Sequence, residues 1–102
     1  MVYFIEYFSP KRGVTGEQIA DCCRRVVKAW EKQWPSNKEV GLYRRKFGIG
    51  EGPMYYWVWE LPDIASVKEW DDKWAEADEV RPLEEELLTL IDRQDGLLVE
   101  KV

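Results

Sequence analysis

The stretch PMYYWVWELPD, residues 53–63, sets two tyrosines and two tryptophans in five consecutive positions. Aromatic and β-branched residues in such density mark a strand. A strand with one face in water alternates apolar and polar residues, whereas residues 54–59 include no charged side chain. Both faces of this strand are therefore expected to be covered. Tyr55, Trp57 and Trp59 should meet one layer, and Tyr56 with Val58 another. Parity along the strand leaves open which layer holds the helices.

Working outward, VYFIEYF at residues 2–8 interrupts an apolar run with a single charge, Glu6, and reads as a second strand covered on both faces. After the loop SPKRG, Thr15 and Gln18 of TGEQ have capping-box spacing. The helix they open runs to about Trp34, before Pro35. Ile19, Cys23, Val26, Val27, Trp30 and Trp34 fall on one stripe of it. KEVGLYRRKF at 38–47 reads as a further strand, and the glycine-rich GIGEGP connects it to the aromatic strand at 54–61. Asp63 or Ser66 is expected to cap a second helix, since Ser66 and Glu69 repeat the capping-box spacing; Ile64, Val67, Trp70 and Trp74 form its apolar face. The break AEADE leads to a third helical segment at 79–93, with Pro82 in its first turn and Val80, Leu83, Leu87, Leu90 and Ile91 at helical spacing. RQDG is expected to end it, and LLVEKV at 97–102 to be the last strand.

The order βαββααβ predicts one α+β domain over residues 1–102, a ferredoxin-like four-stranded antiparallel sheet with helices on one face. Helices leave the other face bare, yet strands one and three do not alternate. A second copy of the chain is the simplest cover, so a homodimer with sheets packed face to face is expected.

The chain has 102 residues, a net charge of −5 and six tryptophans. Acidic balance argues against nucleic acid, which is bound through clustered Lys and Arg. Arg44-Arg45-Lys46 is read as a solvated or salt-bridged strand end. RNA-binding RRM domains share this element order and place aromatics on the same strands, but PMYYWVWE lacks the basic start and glycine of their motif. No apolar run approaches the roughly 18 residues of a membrane span, and MVYFIEYFSP reads as a strand rather than a signal peptide. No membrane partner and a cytoplasmic location are expected. Cys22 and Cys23, about 100° apart on a helix, are expected to be free thiols rather than metal ligands.

The aromatic first strand VYFIEYF, the loop and helix start SPKRGVTGEQI, and WELPDIASVKEWDDKWAEADE together resemble the dimeric α+β barrel superfamily. The chain is most similar there to small EthD-like, NIPSNAP-like and antibiotic-biosynthesis-monooxygenase-like domains. The resemblance implies a homodimer with a shared barrel and a ligand cleft between each subunit's helices and sheet. Members include cofactor-free oxygenases, isomerases, cyclases, haem-handling enzymes and proteins without known activity, so fold says little about reaction.

The chain contains no histidine, which removes the commonest neutral-pH base, metal ligand and haem ligand. No cofactor and no metal is expected, and GIGEG precedes a strand and is not a phosphate cradle. Glu6 is the most informative ionisable residue: desolvated in a cleft it would serve as a general acid or base. Glu6 and Tyr7 are the candidate catalytic residues, and Tyr3, Trp30, Arg44, Tyr56, Trp57, Trp59 and Trp74 the candidate binding residues. The competing reading pairs Glu6 with Arg44, Arg45 or a symmetry mate, and assigns the aromatics to core and dimer interface. Two functions follow. One is an enzyme or binding protein for an aromatic or lipophilic metabolite, monooxygenase-like or isomerase-like. The alternative is a non-catalytic structural or regulatory homodimer.

Overall fold

The aromatic strand alternates in burial rather than in polarity: Tyr55, Trp57, Trp59 and Leu61 are buried, while Tyr56, Val58 and Glu60 are partly exposed. This comes from the computed structural model of the chain, which describes residues 1–48 and 52–102. The elements are β1 (Val2–Pro10), α1 (Gly16–Gln33), β2 (Lys38–Arg44), β3 (Tyr55–Leu61), α2 (Ala65–Glu76), α3 (Val80–Leu90) and β4 (Ile91–Glu100). The strands form one antiparallel sheet in the order β2-β3-β1-β4. The expected α+β, ferredoxin-like class is the one observed. Part of the connection GIGEGP, residues 49–51, lies outside the described residues.

Thr15 and Gln18 form both bonds of the capping box at α1. That helix buries Ile19, Cys22, Cys23, Val26, Ala29 and Trp30 against the sheet and α3. The Arg25 guanidinium grips Glu86 of α3 with two bonds of 2.8 and 2.9 Å, clamping the two helices at the surface.

Three local expectations are corrected. The Ser66–Glu69 box does not form; instead Asp63 Oδ1 accepts from the Ser66 backbone N–H and hydroxyl, and Ile64 occupies the cap position without a side-chain bond. The third helix stops at Leu90 rather than 93, because Ile91 turns extended and pairs with Pro10. RQDG therefore lies inside β4 and does not terminate a helix: the ladder to β1 supplies hydrogen bonds that outweigh weak turn propensity. The second strand ends at Arg44, short of residue 47.

The two faces of the sheet differ sharply. Val2, Phe4, Glu6 and Phe8 of β1 share the helix side with Tyr55, Trp57, Trp59 and Leu61. Tyr3, Ile5 and Tyr7 share the other side with Tyr56, Val58, Tyr43, Leu97 and Val99. Among the described residues no helix covers this second side, and Tyr43, Leu97 and Val99 are exposed on it.

Candidate functional site

Glu6 is the charged member of the helix-facing row of β1, and register alone sets it among Phe4, Trp57 and Trp59. A carboxylate there must be hydrogen-bonded or neutral. Its Oε2 accepts from Trp59 Nε1 at 3.0 Å and its Oε1 from Gln94 Nε2 at 2.9 Å. No lysine or arginine pairs with it among the described residues. Burial, and secondarily the negative charge of Glu84, push the Glu6 carboxyl up to about 7, against a smaller lowering by the Trp59 bond.

Glu84 on α3 is held in the same manner. Its two oxygens accept from Trp30 Nε1 at 3.3 Å and Trp74 Nε1 at 2.5 Å, and burial also raises its pKa. On the far edge of the interior, Trp57 Nε1 donates to Glu39 over 2.6 Å. Among the described residues, four of the six tryptophans thus satisfy their indole N–H on a carboxylate.

Trp70 carries α2 onto this interior. α2 buries no residue fully, yet the Trp70 ring meets those of Phe4, Trp30, Trp34 and Trp59 at 5.3–6.0 Å, all four edge-to-face. Between α2 and the sheet lies a partly open cleft of about 340 Å³, lined by Phe4, Glu6, Leu61, Val67, Trp70 and Asp71. Apolar walls with a few converging polar groups suit a small organic molecule.

Among the candidate residues, Glu6 alone lines this cleft. The pairing of Glu6 with Tyr7 is corrected: neighbouring strand residues point to opposite faces, and Tyr7 lies beside Tyr56 on the helix-free side, rings 6.4 Å apart. Tyr7 instead borders a groove of about 380 Å³ with Ser9, Pro53, Asp92, Arg93 and Asp95. Tyr3 and Tyr56 also lie on the helix-free side. Trp30, Trp57 and Trp59 are fully buried and support the interior rather than line the cleft. Trp74 stands half-exposed at the end of α2, with Arg81 stacked on its ring. Arg44 lines an open groove with Thr15, Leu42 and Tyr55, away from Glu6.

Sequence reasoning passed over Phe4, Asp71, Glu84 and Gln94 and assigned Trp70 to core. Only Trp70 carried a signal, its place on the apolar stripe of α2. Gln94 was hidden because its segment was read as a turn.

No protein-family model matches the chain, and no curated protein matches it. Solved structures do. A NIPSNAP family protein with unknown function from Agrobacterium tumefaciens is 13% identical, with a TM-score of 0.74 over 97% of this chain and 86% of that one. A dimeric protein of unknown function and ferredoxin-like fold from Bacteroides fragilis is 14% identical, with a TM-score of 0.63 over 98% and 95%. An antibiotic biosynthesis monooxygenase is 17% identical, with a TM-score of 0.65 over 100% and 99%. The chain therefore has the ferredoxin-like α+β fold of the NIPSNAP and antibiotic-biosynthesis-monooxygenase proteins, the architecture that its sequence resembles.

Proposed function

We propose that the protein is a homodimer that binds, or transforms by proton transfer, an aromatic or lipophilic small molecule in the cleft between α2 and the sheet. The supporting observation is Glu6, a carboxyl lifted to about 7 at the wall of an apolar cleft. Such a group exchanges a proton at neutral pH, which an ordinary carboxylate does poorly. Of the monooxygenase-like and isomerase-like reactions, proton-transfer isomerisation is the one Glu6 serves directly. Tyr7 has no place in this step. The helix-free sheet face, with exposed Tyr43, Leu97 and Val99 beside Ile5 and Val58, supplies the dimer contact, and the Bacteroides fragilis neighbour, described as dimeric, supports a homodimer. A cytoplasmic setting agrees with the free buried thiols of Cys22 and Cys23.

The test is an amide-shift NMR titration with a panel of bicyclic aromatic fragments. Perturbation confined to Phe4, Glu6, Leu61, Val67, Trp70 and Asp71 is expected, and no perturbation there by any fragment would overturn the reading. The alternative, a non-catalytic module, draws on the packing of Trp30, Trp34, Trp59 and Trp70 against one another, which leaves those rings structural.

A further inference from the structure

From the walls of this cleft we infer that its ligand carries a positive charge: a protonated amine borne on a flat apolar body. The inference rests on the small-molecule reading above and narrows it. Every charged side chain lining the cleft is acidic, Glu6 from the sheet and Asp71 from α2. Neither has a lysine or arginine partner among the described residues. An anionic ligand would meet two carboxylates without a compensating cation. An ammonium group would meet hydrogen-bond acceptors and opposite charge at once. The remaining walls are Phe4, Leu61, Val67 and Trp70, and the Phe4 and Trp70 rings stand edge-to-face with centroids 5.3 Å apart. Such rings take both an apolar body and, on their faces, a cation. A volume of about 340 Å³ lies within the range of small-ligand sites and accommodates a bicyclic body.

The surroundings of Glu6 then set how binding depends on pH. Trp59 of β3 and Gln94 of β4 donate to it. Beyond burial, Glu84 of α3 raises its pKa, and Asp71 of α2 shares its cleft. The Cys23 thiol on α1, raised mainly by its own burial, is raised further by Cys22 and by the charges of Glu6 and of Glu39 on β2. Among the described residues no lysine or arginine pairs with the Glu6 carboxylate, so the ligand brings its first cation. Binding an ammonium below pH 7 therefore releases the Glu6 proton to solvent.

Three compounds sharing one ring system separate the possibilities: 2-naphthylmethylamine, 2-naphthylmethanol and 2-naphthoate, titrated by calorimetry at pH 6 and pH 8. The amine should bind at least tenfold tighter than the alcohol at pH 8, and the carboxylate weakest. Amine affinity should rise about tenfold from pH 6 to pH 8, following ionisation of Glu6, while alcohol affinity stays constant. E6Q should abolish that pH dependence and weaken the amine alone, and D71N, at an exposed position, should weaken the amine without threatening the fold. Equal binding of amine and alcohol, or preference for the carboxylate, would overturn the charge inference and leave the small-molecule reading intact. Binding of none of the three would overturn both.

Discussion

Glu6 and Trp57 stand directly opposite each other on β1 and β3, yet the indole that Glu6 holds is that of Trp59, one pleat away. Trp57 turns instead to Glu39, whose own register partner is Trp59. The two indoles cross with centroids 4.9 Å apart, each reaching a diagonal carboxylate on the opposite flanking strand. Diagonal neighbours on one sheet face lie within reach of long aromatic side chains, so both N–H groups are satisfied in the buried layer.

The crossing predicts different outcomes for two similar substitutions. W57F strips the Glu39 carboxylate of its indole donor, and loss of about 1–3 kcal/mol is expected by urea denaturation. W59F should cost a similar amount, but it also removes the bond that lowers the Glu6 pKa. Carboxyl-carbon NMR should show Glu6 titrating above about 7 in W59F and unmoved in W57F.

Stability should decline with rising pH, and Glu6 gives the sign. Its pKa is about 7 in the folded chain against an ordinary 4.5, so the folded state holds the proton more tightly. The stabilisation is complete below about 4.5 and is lost as pH rises through about 7, by at most about 3 kcal/mol. Urea midpoints measured from pH 5 to pH 8 should fall for the wild-type chain. E6Q should remove this part of the slope.

Glu84 acts on Glu6 through charge, since the two share no hydrogen bond. E84Q removes that charge and should lower the Glu6 pKa, read by the same carboxyl-carbon titration. One of the indoles of Trp30 and Trp74 then faces an amide N–H in place of an acceptor, so the near-ultraviolet circular dichroism should change as well.

Gly96 lies opposite Glu6 on β4, and a Cβ added there would stand 2.8 Å from Phe4 Cζ. G96A should push the Phe4 ring off its packing against Trp70, at a cost of about 1–3 kcal/mol. Changed Phe4 ring shifts with an intact sheet would confirm the contact, and unchanged shifts would show that the ring does not pack as described.

Placing a charge in the centre of the helix-free face tests assembly. V58D should convert a dimer to a monomer in sedimentation, with secondary structure retained by far-ultraviolet circular dichroism. A wild-type chain already monomeric at micromolar concentration would exclude the dimer.

Much of the fold was legible because its signals are local. The capping box at Thr15, the apolar stripe from Ile19 to Trp34 and the aromatic run at 55–59 depend on neighbours a few residues apart. The end of α3 was not legible: the chain turns extended at Ile91 because β1 offers ladder partners up to Pro10, 81 residues away in sequence. The site divides in the same manner. A lone charge in an apolar strand marked Glu6 from sequence alone, and parity put Tyr7 on the other face once the helix side was known. The sequence by itself determined that Glu6 would be an anomaly and that the sheet would have two apolar faces. Only the tertiary structure decided that Trp59, Gln94 and Glu84 would be its neighbours and that Trp70 and Asp71 would wall its cleft. These groups come from β3, β4, α3 and α2, and their approach is set by packing between elements, which no spacing along the chain encodes.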